Sequence, residues 1–241
     1  TKESQREISV QAANNAIESA RGISYPNALN LPIDESKIPH FVKPYIELTQ
    51  KMAFLLAQLS KSEIRSINIT AEGEISEYLD SLQTFATVGV LAVSCGDEVN
   101  YVNANFIAKE KGIDLTTSEF SNHSGYQNKV SINITTPTGV KTISGTVFNE
   151  DVQRIVEING FPLDIEPKGK MIIMRNHDVP GVIGEVGKIL GNNNINIADF
   201  RLSRGKDGAL AVILIDEKVS SDILKKLNSL EAAIAVAYAE I

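Results

Sequence analysis

Apolar residues recur at helical spacing in two stretches of the first sixty residues. From Lys2 to about Gly22 the apolar and small residues fall four apart, at Ile8, Ala12, Ala16 and Ala20. From about Pro44 a stronger pattern of steps of three and four runs through Tyr45, Leu48, Met52, Leu55, Leu56 and Leu59. Both patterns predict amphipathic helices, the second with a face that must be buried.

The segment between the two helices has a different pattern. Residues 23–40 contain three prolines and little periodicity, which is typical of an extended connector. We therefore predict a domain boundary there.

Strand and helix patterns are mixed in the middle of the chain. A strand is predicted near 66–75, a helix over 78–95 and a short helix that Gly112 ends. Two β-rich runs then flank the turn at 136–139, which is a hairpin pattern, and residues 151–165 continue it. This segment is interpreted as an α+β domain.

The last seventy residues predict the order βαββαβ. The strands are 170–175, 195–203, 208–216 and 233–241, and the helices 180–191 and 220–230. This order is typical of a ferredoxin-like sheet with two helices. The predicted fold class is thus α+β, with one α+β domain followed by a βαββαβ domain.

The final predicted strand alternates bulky residues with alanines. Ala235, Ala237 and Ala239 share one flat face, because successive strand residues point to opposite faces. Such a face next to a sheet edge favours packing against a second copy of the chain. The alternative is that this face packs under a helix of the same chain.

Composition and charge exclude several classes of protein. The 241 residues are 43% hydrophobic and 22% charged, with a net charge of −7, which argues against disorder and against nucleic-acid binding. A single Cys95 and the lack of Cys/His clusters predict neither disulfides nor a metal site. No uninterrupted apolar run approaches the ~18 residues of a membrane span, and the polar start lacks a signal-peptide pattern. We expect a cytoplasmic protein.

No enzyme motif is present in the sequence. It lacks the glycine-rich nucleotide loops, the zinc-protease motif and the nucleophile elbow. The acid pairs Glu72/Glu74 and Asp216/Glu217 lie at strand ends or turns and are interpreted as solvated. No catalytic residue is predicted in this chain.

The densest polar group surrounds the start of the helix at 180–191. Pro180 suits a first helical turn, Asp178 before it is a possible N-cap, and the N–H groups of Gly181 and Val182 could hold a carboxylate. Asp178 could hold an ammonium group, while the amides of Asn176 and Asn196 could bind a hydroxyl, with Asn196 expected to reach the same loop. The set fits a small hydroxy-amino acid. The alternative is that Asp178 only caps its helix and Asn196 only fills a turn.

The run NHDVPGVIGEVGKILGNNNINIADF resembles an ACT domain, a small amino-acid-sensing module. The preceding runs NYVNANFIAKEKGI, ISGTVF and RIVEINGFPLDI resemble the intervening, or allosteric substrate-binding, domain of long-form D-3-phosphoglycerate dehydrogenases. The opening helix and PNALN resemble the end of their catalytic core. The resemblance implies a core end at 1–39, an intervening domain at 40–167 and an ACT domain at 168–241.

The resemblance also implies a function. The parent enzyme would use NAD to oxidise 3-phosphoglycerate, the first step of L-serine biosynthesis, whereas this chain would bind no NAD and be inactive alone. L-serine would bind between two ACT domains of a homo-oligomer, at Asn176, Asp178, Val179, Pro180, Gly181 and Asn196. Relatives often differ at positions 176 and 178, which leaves the affinity for serine open. No nucleic-acid or membrane partner is expected.

A second anion site is expected in the intervening domain. Some relatives bind anions there, and Lys129 with His123 is the nearest match. Two rival identities stay open: the small subunit of an iron–sulfur L-serine dehydratase, and a stand-alone amino-acid-binding ACT module.

Overall fold

A computed structural model describes residues 2–20, 38–60, 62–119 and 124–241. The α-helices are α1 Lys2–Ala20, α2 Val42–Gln58, α3 Leu79–Cys95, α4 Ala104–Glu110, α5 Val182–Asn192 and α6 Ser221–Asn228. The first six strands are β1 Ser66–Glu72, β2 Asp114–Glu119, β3 Lys129–Thr136, β4 Gly139–Phe148, β5 Val152–Ile158 and β6 Phe161–Ile165. The last four are β7 Lys170–Asn176, β8 Ile197–Gly205, β9 Gly208–Ile215 and β10 Ala233–Glu240.

The first predicted helix is confirmed as α1, and its described side chains, residues 7 to 17, are almost all exposed. Most of the predicted connector and the helix stop at Gly22 lie outside the described residues.

Six strands form the sheet of the middle segment, in the order β2-β1-β3-β4-β5-β6. The predicted hairpin is confirmed, because β3 pairs antiparallel with β4 across the turn at 137–138. Alternate residues of β1 and β3 are buried, and these share one hydrophobic cluster with α2 and α3. The two helices therefore cover one face of this sheet, and α2 is buried on the face that its pattern predicted.

Strand β2 was not predicted. It pairs parallel with β1 from Ser66↔Asp114 to Ala71↔Glu119, although its sequence, DLTTSE, has no apolar alternation. Almost all of its residues are exposed. An edge strand held by backbone pairing has little hydrophobic signal for a sequence pattern to reveal.

The stretch Glu74–Glu98 is long and apolar enough, by length and composition, to cross a membrane, contrary to the sequence expectation. Half of its most apolar window is buried inside this fold. The centre of α3, from Ala86 to Leu91, is buried against α2 and the sheet. Its apolar composition is thus explained by its place in the core.

The C-terminal unit has the predicted βαββαβ order, with a sheet ordered β10-β7-β9-β8. All three strand pairings are antiparallel. Val186 and Leu190 of α5 and Leu227 of α6 pack with Ile172 and Ile213 in a second hydrophobic cluster. Both helices therefore lie on one face, which confirms the ferredoxin-like fold.

The opposite face of this four-stranded sheet packs against the middle unit. Met171, Ile173, Leu210 and Val212 belong to the same hydrophobic cluster as α2 and the six-stranded sheet. The two units therefore share a continuous core.

The alanine face of β10 takes part in that contact. Ala239 is fully buried in the shared cluster and Ala237 packs against it, whereas Ala235 is exposed beside a strand irregularity. The alternative of packing within the chain holds for Ala237 and Ala239, so this part of the face is not open to a second copy.

Candidate functional site

The loop between β7 and α5 begins at a buried amide. Asn176, the last residue of β7, is 2% exposed and donates from Nδ2 to the carbonyl oxygen of His177 at 2.8 Å. Its Oδ1 is buried and accepts no hydrogen bond from any described residue. An unsatisfied buried acceptor is unfavourable by ~1–3 kcal/mol, so this atom is suited to receive a donor.

The start of α5 differs from the prediction. The helix begins at Val182, and Gly181 before it takes the N-cap position in a left-handed conformation with φ 96°. No side chain of the described residues caps the helix, so Asp178 is not the N-cap and Pro180 precedes the first turn. Glycine adopts this φ without the steric penalty of a Cβ, and this accounts for the residue at 181.

Asp178 instead forms an ion pair with a neighbouring strand. Its Oδ1 lies 3.3 Å from Nε of Arg204, near the end of β8. The remaining predicted residues of the loop, Val179, Pro180 and Gly181, are exposed. Asn176 and Asp178 through Gly181 are thus brought together at one end of the sheet, with Arg204 added.

Asn196 lies at the other end of the sheet. It precedes β8, donates from its side-chain Nδ2 to Asp216 Oδ2 at 2.6 Å and donates from its backbone N–H to Glu217 Oε2 at 2.7 Å. Ile197, next to Asn196, pairs with Ile215, which in turn pairs with Lys170 at the start of β7, six residues from Asn176. That separation is roughly 20 Å at ~3.3 Å per residue. The expectation that Asn196 reaches the same loop is therefore wrong within one chain.

The two edges of the four-stranded sheet are not equivalent. At the β10 edge, the Gln58 side chain hydrogen-bonds both the N–H and the carbonyl of Glu240, at 3.1 and 3.0 Å. Strand β8 pairs with β9 and with no other described strand. A Cβ built on Gly205 would lie 2.8 Å from the ring of Phe161 in β6, so this ring covers the face of β8 at Gly205.

The second predicted anion site has a different setting. His123 lies outside the described residues. Lys129 Nζ lies 4.0 Å from Glu157 Oε2, and Lys129 pairs across strands with Glu72. Glu72 is 4% exposed and accepts from Ser124 Oγ at 2.7 Å, so the interpretation of this acid as solvated is wrong. The carboxylate of Glu157 offsets the lysine charge, which disfavours an anion at Lys129.

The described residues do not fit a dinucleotide. Such a site needs a glycine-rich turn after a parallel strand, opening onto a helix N-terminus. The one parallel pair among the described strands is β1 with β2, and β1 leads into a short 3₁₀ helix whose first turn holds Glu74 and Glu77. Two carboxylates there would repel a pyrophosphate.

Arg204 is the site residue that the sequence did not reveal. Arg204 pairs with Ala209 across the β8–β9 hairpin, and Ala209 pairs with Asn176. The three residues thus lie in one row across adjacent strands. The strand order of a ferredoxin-like sheet, combined with the register of the β8–β9 hairpin, would have predicted that Arg204 lies in the same row as Asn176.

Comparison with known protein families gives two matches. Residues 41–159 match the D-3-phosphoglycerate dehydrogenase intervening domain, and residues 170–232 match the ACT domain.

Curated relatives share the same name. D-3-phosphoglycerate dehydrogenase of Bacillus subtilis is 34% identical over 98% of this chain and 46% of its own length. The Synechocystis enzyme is 27% identical over 99% of this chain and 44% of its own length, and the Archaeoglobus fulgidus enzyme 28% over 100% and 46%. The chain thus spans about half the length of these relatives. The chain belongs to the D-3-phosphoglycerate dehydrogenase family, as its C-terminal region, in which the intervening domain is followed by an ACT domain.

Proposed function

We propose that this chain is the regulatory and oligomerising region of a cytoplasmic, NAD-dependent D-3-phosphoglycerate dehydrogenase. In this proposal residues 1–39 form the end of the catalytic core, residues 40–167 the intervening domain and residues 168–241 the ACT domain. The remainder of the parent enzyme would bind NAD and 3-phosphoglycerate, because the described residues of this chain do not form a site that fits a dinucleotide. The purified chain is expected to show no NAD-dependent turnover.

We propose L-serine as the effector of the ACT domain. Asp178 pairs with the ligand ammonium, while the free Oδ1 of Asn176 accepts a hydrogen bond from the ligand. The backbone of Val179, Pro180 and Gly181 completes one wall of the pocket. These groups lie at the end of β7 and in the loop that follows it.

The separation of Asn196 from Asp178 is the observation that supports a site between two chains. Suppose that two β8 strands pair antiparallel about Arg201. Ile197 of one copy then lies opposite Gly205 of the other, and Asn196 lies opposite Lys206, at the same end of the second copy's β8 as Arg204 and its partner Asp178. The outer edge of β8 has no partner among the described strands, whereas Gln58 occupies part of the β10 edge, and this difference favours the pairing through β8. A two-fold axis produces two equivalent sites.

Serine bound between two chains could regulate the catalytic core of the parent enzyme. Serine bound across two copies stabilises one arrangement of the subunits, and it inhibits only if that arrangement disfavours the active state of the catalytic core. The connector at 23–40 would carry the shift.

Calorimetric titration of L-serine into the chain tests the effector, with D-serine and glycine as controls and the mass in solution measured alongside. We expect stereospecific binding and an assembly of at least two chains. Binding of neither serine enantiomer would contradict the effector assignment.

The Asp178→Ala substitution tests the binding mode. It removes the partner of the ligand ammonium, and serine binding should weaken by ~1–3 kcal/mol, the value of a charge-assisted hydrogen bond in a partly buried site. An unchanged affinity would show that serine does not use this loop.

A further inference from the structure

Arg204 is placed to contact whatever the loop between β7 and α5 binds. It lies in the same row of the sheet as Asn176, two strands away, and its side chain reaches back to Asp178. Its Nε lies 3.3 Å from Oδ1 of Asp178, and the side chain is 72% exposed. The guanidinium is therefore accessible to a second anion.

The ion pair between Arg204 and Asp178 is easily exchanged. The Asp178 side chain is 36% exposed, and ion pairs at such exposure stabilise a fold little, because water solvates both partners. A ligand that offers each partner a new counter-charge can replace the pair without leaving an unpaired charge.

The helix N-terminus alone is a weak anion site in this chain. Glu185 lies in the first turn of α5, so a carboxylate bound at Gly181 meets a like charge nearby. A cationic side chain is therefore needed if the ligand carboxylate is to bind at this loop.

We propose that Arg204 is the specificity residue that binds the α-carboxylate of the effector. In the free chain Arg204 neutralises Asp178. When a zwitterionic amino acid binds, the ligand ammonium pairs with Asp178. The ligand carboxylate accepts two parallel hydrogen bonds from the planar guanidinium of Arg204, a bidentate geometry that suits both groups. This inference rests on the proposed function and adds the group that distinguishes an amino acid from an amine.

Three ligands separate the two halves of this recognition. L-serine carries both charges, ethanolamine is the same molecule without the carboxylate, and 3-hydroxypropanoate is the same molecule without the ammonium. Each is titrated calorimetrically into the wild-type chain, into Arg204→Gln and into Lys225→Gln. Lys225 is the matched control, because it lies on α6, outside the proposed site, and its 78% exposed side chain forms an ion pair with Asp222 at 3.3 Å.

We expect Arg204→Gln to bind L-serine about tenfold more weakly, the effect of losing one charge-assisted hydrogen bond. Ethanolamine binding should stay the same or tighten in this variant, since Asp178 no longer has a competing cation. The preference for serine over ethanolamine should therefore fall in Arg204→Gln and persist in Lys225→Gln. Circular dichroism and the mass in solution establish that each variant is folded and assembled. Should Arg204→Gln fail this test, Arg204→Lys takes its place with the same expectation of a weaker serine preference, because an ammonium cannot bind a carboxylate through a planar fork.

Two failures can be told apart. If the wild-type chain binds serine and the folded substituted chain keeps the full preference for serine over ethanolamine, Arg204 does not bind the carboxylate, although the amino-acid site stands. If the wild-type chain binds none of the three ligands, the amino-acid site itself is wrong and the role of Arg204 is overturned with it.

Discussion

The contact between α2 and α3 provides a quantitative test of the fold, because it depends on a glycine. Gly89 lies in the middle of α3, directly against α2. A Cβ added at this position would lie 2.4 Å from the carbonyl oxygen of Gln50, 3.0 Å from the Cβ of Ala53 and 3.1 Å from the backbone nitrogen of Phe54. Since two of these three atoms are backbone, no side-chain rotation can make room.

The expected effect of Gly89→Ala combines two opposing terms. Relieving the clash moves one helix by roughly 1 Å, since contacting heavy atoms are normally ~3.5 Å apart, and such overpacking destabilises a core by ~1–3 kcal/mol. Alanine is favoured over glycine inside a helix by ~1 kcal/mol. Because backbone atoms carry the clash, the cost lies near the upper end, and the net loss of stability is ~2 kcal/mol.

Thermal unfolding followed by circular dichroism measures this loss. For a chain of this size ~2 kcal/mol lowers the midpoint by ~4–8 °C. Gly187→Ala in α5 is the matched control, because a Cβ there meets no atom of the described residues within 4 Å and should raise the midpoint by a few degrees. If Gly89→Ala stabilises the chain as much as Gly187→Ala, the close approach of α2 and α3 is not what requires the glycine.

Two further predictions concern the junction of β10 with the rest of the chain. Gln58→Leu removes both side-chain hydrogen bonds to Glu240, which together contribute ~1–2 kcal/mol. Hydrogen exchange of the Glu240 amide should therefore become faster. An unchanged exchange rate would refute the contact between Gln58 and the β10 edge. The hydrogen bond from Lys218 lowers the pKa of the Glu240 carboxyl below its ordinary 4.5. This interaction therefore stabilises the fold above about pH 4.5 and is lost as the pH falls through the lowered value. Lys218→Met should raise the pKa of Glu240 in an NMR titration, and an unaltered titration would remove Lys218 as its cause.

The βαββαβ order was predictable from the sequence because its strands and helices have strong, distinct periodicities. Buried runs such as that of β9 and the spacing of Val182, Val186 and Leu190 in α5 are typical of their elements. Strand β2 was missed because its partner supplies backbone hydrogen bonds and its side chains contribute almost nothing to the core.

The site residues were identified by type, but their positions depend on tertiary structure. Local pattern favoured Asp178 as a helix cap, whereas a left-handed Gly181 separates it from the helix and Arg204 binds it. Asn196 is near the loop in sequence, yet the direction of β8 places it at the far end of the sheet. No local rule contains either fact, because both arise from strand order.

The alanine face of β10 shows the same limit. Alternation predicted correctly that the face is flat, but not what covers it. The occupant, at Ala237 and Ala239, is the core shared with α2, nearly 180 residues earlier in the chain. A pattern in one strand can show that a partner is needed, whereas its identity depends on the packing of distant elements.

Complementation between two variants shows whether two chains jointly form the serine site. Asp178→Ala and Asn196→Ala chains are refolded separately and as an equal mixture, and L-serine is titrated into each. We expect both single variants to bind weakly and the mixture to recover about a quarter of the sites at wild-type affinity, since random pairing leaves one intact site in each mixed dimer. If the two variants form mixed dimers and binding does not recover, or if Asn196→Ala alone binds as tightly as the wild-type chain, the site does not lie between two chains.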